Sequence, residues 1–203
     1  LRIYGAENAK TVSSTMRMVE LLMAQEKFQD AEELIRQILD IKVNKFGENS
    51  REAMDVTWWL GSLLLSQEKY NEAETYLDEV MKWYRDHVAH DDPSAPRIIS
   101  LLGDVYLQQT NYIKAKELYE ESIDMIHQGS DYRLSSHLRR KLGLLHQDQW
   151  QYEEAKSIYN EILKQSKQEY GDDHRETFDA LLNLGNLYKA QSLYDEAGKF
   201  LRQ

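Results

Sequence analysis

The residues with the most obvious chemical potential lie in "HVAHDD", where His87 and His90 stand three apart and are followed by Asp91 and Asp92. On one helix face such a set could ligate a metal. The same residues also suit a helix end, with His at the negative C-terminal pole and Asp capping the next helix. The second reading is preferred, because nothing nearby supplies the supporting shell a metal ligand set needs. "DDH" at Asp172–His174 is read the same way. A phosphate loop, an HExxH helix and a nucleophile elbow are all missing from the sequence, and there is no cysteine for thiolate chemistry. No catalytic set, cofactor site or metal site is therefore expected. Two features point to binding instead: the adjacent Trp58 and Trp59, and the basic run "YRLSSHLRRK", which gathers Arg133, His137, Arg139, Arg140 and Lys141.

Five wordings match along the chain: "KFQDAEELI", "KYNEAETYL", "NYIKAKELY", "QYEEAKSIY" and "LYDEAGKFL". Their aromatic residues, Phe28, Tyr70, Tyr112, Tyr152 and Tyr194, are spaced by 42, 42, 40 and 42 residues. Each is followed three places later by Ala31, Ala73, Ala115, Ala155 or Ala197. Nine places before the last four come Gly61, Gly103, Gly143 and Gly185, each preceded by leucine, whereas the first unit has Met18 and Val19. Large residues then recur at helical spacing, as in Ala73, Tyr76, Leu77 and Val80. Each unit reads as two helices joined by a short turn. The small residues are expected to let the helices approach closely, and the aromatic to seal the turn.

Between units, "FGENS", "HDDPSAP", "HQGSD" and "YGDDH" supply caps and breaks. "YGAEN" at Tyr4 matches these loops, so residues 1–11 read as the tail of a preceding repeat, and the chain as an excerpt of a longer array. The repeats are placed at 12–53, 54–95, 96–135, 136–177 and, incomplete, 178–203. The fourth unit departs most from the pattern. It has Arg139 where a large apolar residue is expected three before Leu-Gly, and the interval leading to it is the short one.

Composition bounds the function. The chain has 203 residues, of which 41% are hydrophobic and 30% charged, enough apolar material to bury a core. Its net charge of −10 argues against a nucleic-acid partner. No apolar run is long enough to cross a bilayer, so no membrane partner is expected, and an intracellular, cytoplasmic setting is.

Leu-Gly, Tyr and Ala at this spacing, as in "NLGNLYKAQSLYDEA" from Asn183, resemble the tetratricopeptide repeat. The 42-residue interval with "YGDDH" between units is similar to the long-repeat variety of kinesin light chains. The resemblance implies an all-α, right-handed superhelical solenoid of antiparallel helix pairs, whose concave wall is formed by the first helices. It also implies a non-catalytic scaffold that binds a protein or peptide in that groove.

Carried over residue by residue, the groove positions include Asp55, Trp58, Arg97, Ser100, Asp104, His137, Arg140 and Asn186, with Asn183 matching the kinesin-light-chain wording "LLNLG". Trp58 is read as facing either the groove or a neighbouring repeat, and Trp83 and Trp150 as sealing inter-repeat and turn contacts. The carboxylate clamp of chaperone-binding arrays is not assembled here, since only Arg140 and Asn186 have suitable chemistry. The basic run, with Arg97, Ser100 and Asn186, is expected to dock an acidic or phosphorylated peptide. The competing reading is that Arg139 and Lys141 balance acidic second helices. A sensor or self-association array attached to a signalling or catalytic domain elsewhere is the alternative function, and exposed terminal repeats would allow homo-oligomers.

Overall fold

The repeat unit appears in the computed structural model as a helix pair, again and again. The structure describes residues 9–88, 92–126 and 131–201. These form ten α-helices and no strand: α1 (Ala9–Ala24), α2 (Phe28–Phe46), α3 (Arg51–Ser66), α4 (Tyr70–His87), α5 (Ala95–Gln108), α6 (Tyr112–Met125), α7 (Tyr132–Asp148), α8 (Tyr152–Tyr170), α9 (Arg175–Ala190) and α10 (Tyr194–Leu201). The chain divides into two compact units, Leu1–Asn111 with α1 to α5 and Tyr112–Gln203 with α6 to α10. Within each unit, helices consecutive in sequence pack on one another.

The turn inside each repeat is built from backbone alone. Its second residue before the aromatic has a positive φ in all five cases: Glu26, Glu68, Thr110, Trp150 and Ser192, at 58–63°. The following N–H reaches back five residues, as in Lys69 to the Leu64 carbonyl at 2.9 Å, while the Glu68 N–H meets Leu65 at 3.0 Å. This pair of bonds closes a helix C-terminus in the Schellman manner and satisfies carbonyls that would otherwise be orphaned. Glycine or asparagine usually holds this left-handed position, yet none stands here, which is why composition hides these turns. Trp150 occupies one of them and is 77% exposed, so it does not seal the turn as expected. The repeat aromatics Phe28, Tyr70, Tyr112 and Tyr152 are half-buried, but Tyr194 is 66% exposed.

Loops between repeats use glycine where nothing else fits. Gly47 and Gly171 follow α2 and α8 with φ of 91° and 89° and extended ψ, a region essentially restricted to glycine. The next helix is then capped. Ser50 Oγ accepts the Ala53 N–H at 3.2 Å, Asp131 accepts that of Leu134 at 3.0 Å, and His174 Nδ1 accepts that of Glu176 at 3.2 Å.

Packing explains the Leu-Gly and Ala signals. The repeat alanines are buried, as expected. Gly61 and Gly143 also make room for the large residue seven after the aromatic. A methyl on Gly61 would lie 2.6 Å from Leu77 Cγ, and one on Gly143 would lie 2.8 Å from Tyr159 Cζ. Leu77 and Tyr159 are both almost completely buried.

A second device links neighbouring repeats in the first unit. Glu32, just after the repeat alanine, accepts from Arg36 Nη2 at 2.8 Å, Gln67 Nε2 at 2.9 Å and Lys69 Nζ at 3.1 Å. Glu74, its counterpart one repeat later, takes the Tyr106 hydroxyl at 2.9 Å and Gln109 at 2.8 Å. In the second unit lysines hold two of the corresponding positions: Lys116 pairs with Glu120 on its own helix at 3.8 Å, and the Lys156 ammonium stands 5.7 Å from the Tyr188 ring, a cation–π contact in place of the carboxylate. Burial would raise the Glu32 pKa, but hydrogen bonds from Arg36, Gln67 and Lys69, with the Lys69 charge, outweigh it and hold the group at about 2 rather than 4.5.

Three outcomes follow from these contacts. Gly143→Ala gains about 1 kcal/mol of helix propensity but overpacks Tyr159 at a cost of roughly 1–3 kcal/mol, so chemical denaturation should show a net loss. Thr110→Gly should raise the thermal midpoint, because leaving a β-branched residue in a left-handed conformation costs about 1–2 kcal/mol and glycine returns about half of that through chain entropy. Glu32 has a depressed pKa in the folded chain, so its stabilisation is complete above the unfolded value near 4.5 and is lost as pH falls toward 2. Thermal midpoints measured across that window should fall less steeply in Glu32→Gln than in the wild type.

Candidate functional site

The expected groove residues fall in both units, and the two units treat them differently. In the first, Asp55 on α3 accepts the Tyr84 hydroxyl at 2.8 Å. Burial, then that hydrogen bond, pushes the Tyr84 phenol well above the usual range. Arg51 lies 6.0 Å from the Tyr84 ring and donates to Asp92 at 3.1 Å. Trp58 is half-buried against Met54, Val80, Tyr84 and Ile98, meets Trp59 edge-on at 5.1 Å, and has a buried indole N–H. Core packing therefore takes most of Trp58. Ser100 is likewise buried, its hydroxyl donating to the Arg97 carbonyl at 3.0 Å, while Arg97 is exposed and Asp104 half-buried. Here the first helices fill their own wall.

In the second unit the equivalent wall is open. A pocket of about 400 Å³ lies between α7 and α9, with Ile162 of α8 among its lining residues. Arg133, His137 and Arg140, spaced by four and three, stand on one face of α7, and Glu176, Asp179 and Asn183, spaced by three and four, on one face of α9. Counting from Leu-Gly, Arg140 occupies the position of Trp58, and His137 that of Asp55. Counting from the repeat alanine, Ser166 occupies the position of Tyr84. The short Ser166 side chain turns its hydroxyl to the Leu163 carbonyl at 3.0 Å, and so sends no phenol toward His137.

The basic run separates into different jobs. Arg139, at the core-facing position, reaches Glu161 on α8 at 2.6 Å. Lys141 stands 5.7 Å from the Tyr119 ring of α6. The Arg139 contact fits the charge-balancing reading, with a second-helix carboxylate as partner, whereas Lys141 meets a neutral ring within the acidic stretch of α6. Arg133 pairs loosely with Glu176 of the next repeat at 3.9 Å, repeating the Arg51–Asp92 link from the same helical position. That leaves Arg140, whose Nη2 is 3.1 Å from His137 Nδ1. An arginine only donates, so in this contact the imidazole nitrogen is the acceptor.

Of the expected set, His137, Arg140 and Asn183 come together in this pocket. Asn186 is exposed on α9 outside its lining, and Asp55, Trp58, Arg97, Ser100 and Asp104 belong to the first unit. Sequence reasoning missed Ser136 and Glu176. Ser136 lies one helical turn before Arg140 and Glu176 two turns before Asn183, both residues it did name, so extending each face would have found them. The metal reading finds no support in its surviving members. His87 stacks on Trp83 at 4.9 Å with Nδ1 3.0 Å from the Trp83 carbonyl, and Asp92 caps Ser94 at 2.8 Å. His90 and Asp91 lie outside the described residues. Trp83 itself does tie helix to loop, donating to the Asn49 carbonyl at 2.9 Å. Among the described residues, no helix is long and apolar enough to cross a membrane.

Comparison with known proteins agrees with this architecture. A tetratricopeptide repeat profile matches residues 52–126 and 133–203, and a second one matches 16–86. No curated protein sequence matches the chain. Among solved structures, a Podosopora anserina putative kinesin light chain with nearly identical TPR-like repeats is 16% identical, with 95% of this chain and 92% of that one covered and a TM-score of 0.83. BtubC (BKLC) from P. vanneervenii is also 16% identical, over 95% of this chain and 78% of that one, with a TM-score of 0.80. YrrB, described as a TPR protein with an unusual peptide-binding site, is 15% identical over 98% and 85%, with a TM-score of 0.54. With helix pairs, spacing and family match in agreement, the chain belongs to the tetratricopeptide repeat family.

Proposed function

We propose that this chain is a non-catalytic protein–protein interaction scaffold whose second unit binds a peptide segment in the α7–α9 pocket. The observation that carries this reading is the open, charged pocket itself, at a place where the first unit is filled by Trp58 and Tyr84. Its volume of about 400 Å³ lies at the lower end of the roughly 300–1,000 Å³ typical of ligand sites, enough for one or two side chains of a longer segment. Arg140 is the cation in the best position to receive an acidic or phosphorylated group. One nitrogen engages His137, and a guanidinium carries five N–H donors in a fork that matches carboxylate and phosphate oxygens. Asn183 faces it from α9 with a side chain able both to donate and to accept. The peptide-binding description of YrrB supports the same class of ligand.

Fluorescence anisotropy with acidic, phosphorylated and neutral peptides of one length tests the reading. The charged peptides should bind the wild type more tightly than the neutral one, and Arg140→Ala should weaken them about tenfold or more, the scale of a charged hydrogen bond of roughly 1.5–3 kcal/mol. Arg97→Ala, in the first unit, is the companion variant; no change on that substitution confines the site to the second unit. Equal affinity for charged and neutral peptides would reject the assignment.

A further inference from the structure

The charges lining the α7–α9 pocket are of both signs and on opposite sides. Arg133 and Arg140 stand on α7, while Glu176 and Asp179 stand on α9. Arg133 and Glu176 face each other at 3.9 Å, a loose pair with Arg133 73% exposed. His137 meets Arg140 through Nδ1 at 3.1 Å. A ligand therefore meets positive charge along α7, with Arg140 outside the cross-helix pair, and negative charge along α9, with Asp179 outside it. Arg175 is the partner seen for Asp179, 3.8 Å away and 89% exposed, and a pair so hydrated neutralises little. A ligand bearing only negative charge would gain at Arg140 and lose at Asp179, in a chain whose net charge is already −10. A ligand bearing a second, positive group turns that loss into a gain.

Resting on the peptide-binding reading above, we infer that the pocket recognises a pair of opposite charges on one peptide segment, an acidic side chain at Arg140 and a lysine or arginine side chain at Asp179. Exposed Leu182 lines the same pocket, with the buried Ile162 and Ala180, and gives the aliphatic stems an apolar contact. An extended segment presents alternate side chains on one face, about 6.5–7 Å apart. An acidic and a basic residue separated by one residue therefore point into the pocket together.

The test uses the whole chain and four labelled nonapeptides that differ at two positions: glutamate with lysine, glutamate with glutamine, glutamine with lysine, and glutamine with glutamine. Circular dichroism first checks that Arg140→Ala and Asp179→Ala keep the wild-type helix content; both positions are at least partly solvated, so they should. The glutamate–lysine peptide should bind the wild type at least tenfold more tightly than either singly charged peptide. Arg140→Ala should erase the preference for glutamate and keep that for lysine, and Asp179→Ala should do the reverse. If glutamate matters and lysine does not, the paired-charge inference fails while the acidic-peptide reading stands. If neither charge matters, or no peptide binds, both fail.

Discussion

The contact on which the repeat depends is the seating of one large side chain against a glycine of the partner helix. Leu77 lies over Gly61 and Tyr159 over Gly143, in each case closer than any Cβ would allow. Two helices can meet at the short end of the usual interaxial range only if one gives up bulk where the other projects it. The buried alanine on the second helix completes the approach, and the five left-handed turns fix the angle at which the helices leave each other. Those turns tolerate Glu, Thr, Trp and Ser because the six-residue hydrogen bond and the helix packing on either side hold the backbone in place, and the strain is absorbed as a fraction of each repeat's stability.

On this shared scaffold the two units diverge through a few substitutions at equivalent positions. Where the first unit sets Trp58 and Tyr84 into its wall and ties Asp55 to the tyrosine, the second has Arg140, Ser166 and His137. Removing two aromatic rings from a packed layer leaves either a collapse or a cavity. In the second unit it leaves a polar pocket lined by Arg140 and His137. The links between repeats are exchanged in the same way, with carboxylate hydrogen bonds at Glu32 and Glu74 on one side and a cation–π contact on the other.

Much of the fold was legible in the chain. Leu-Gly, the aromatic and the alanine repeat at one interval because every repeat has the same packing problem, and the helices duly start at Phe28, Tyr70, Tyr112, Tyr152 and Tyr194. Less of the site was legible. Arg139 and Arg140 are neighbours of one type, yet one is spent on Glu161 and the other enters the pocket, since adjacent residues on a helix point about 100° apart and their surroundings decide the rest. Ser100, a groove position by its place in the repeat, is buried against its own helix. Trp150, which reads as a seal, stands exposed because the left-handed turn carries it outward.

Periodicity, composition and the repeated small residues alone determined an all-helical tetratricopeptide array without a recognisable catalytic set, because those features encode which faces must be buried and how closely. What tertiary structure decided was which charges remain available. Whether a cation is consumed by Glu161, a ring face or a facing carboxylate, or is left at the rim of an open pocket, depends on distances across helices 22 to 43 residues apart in the chain, as the Arg139–Glu161 and Arg133–Glu176 pairs show. A local pattern carries no record of such distances, and they set the Coulombic and hydrogen-bond energies that distinguish a binding group from a structural one.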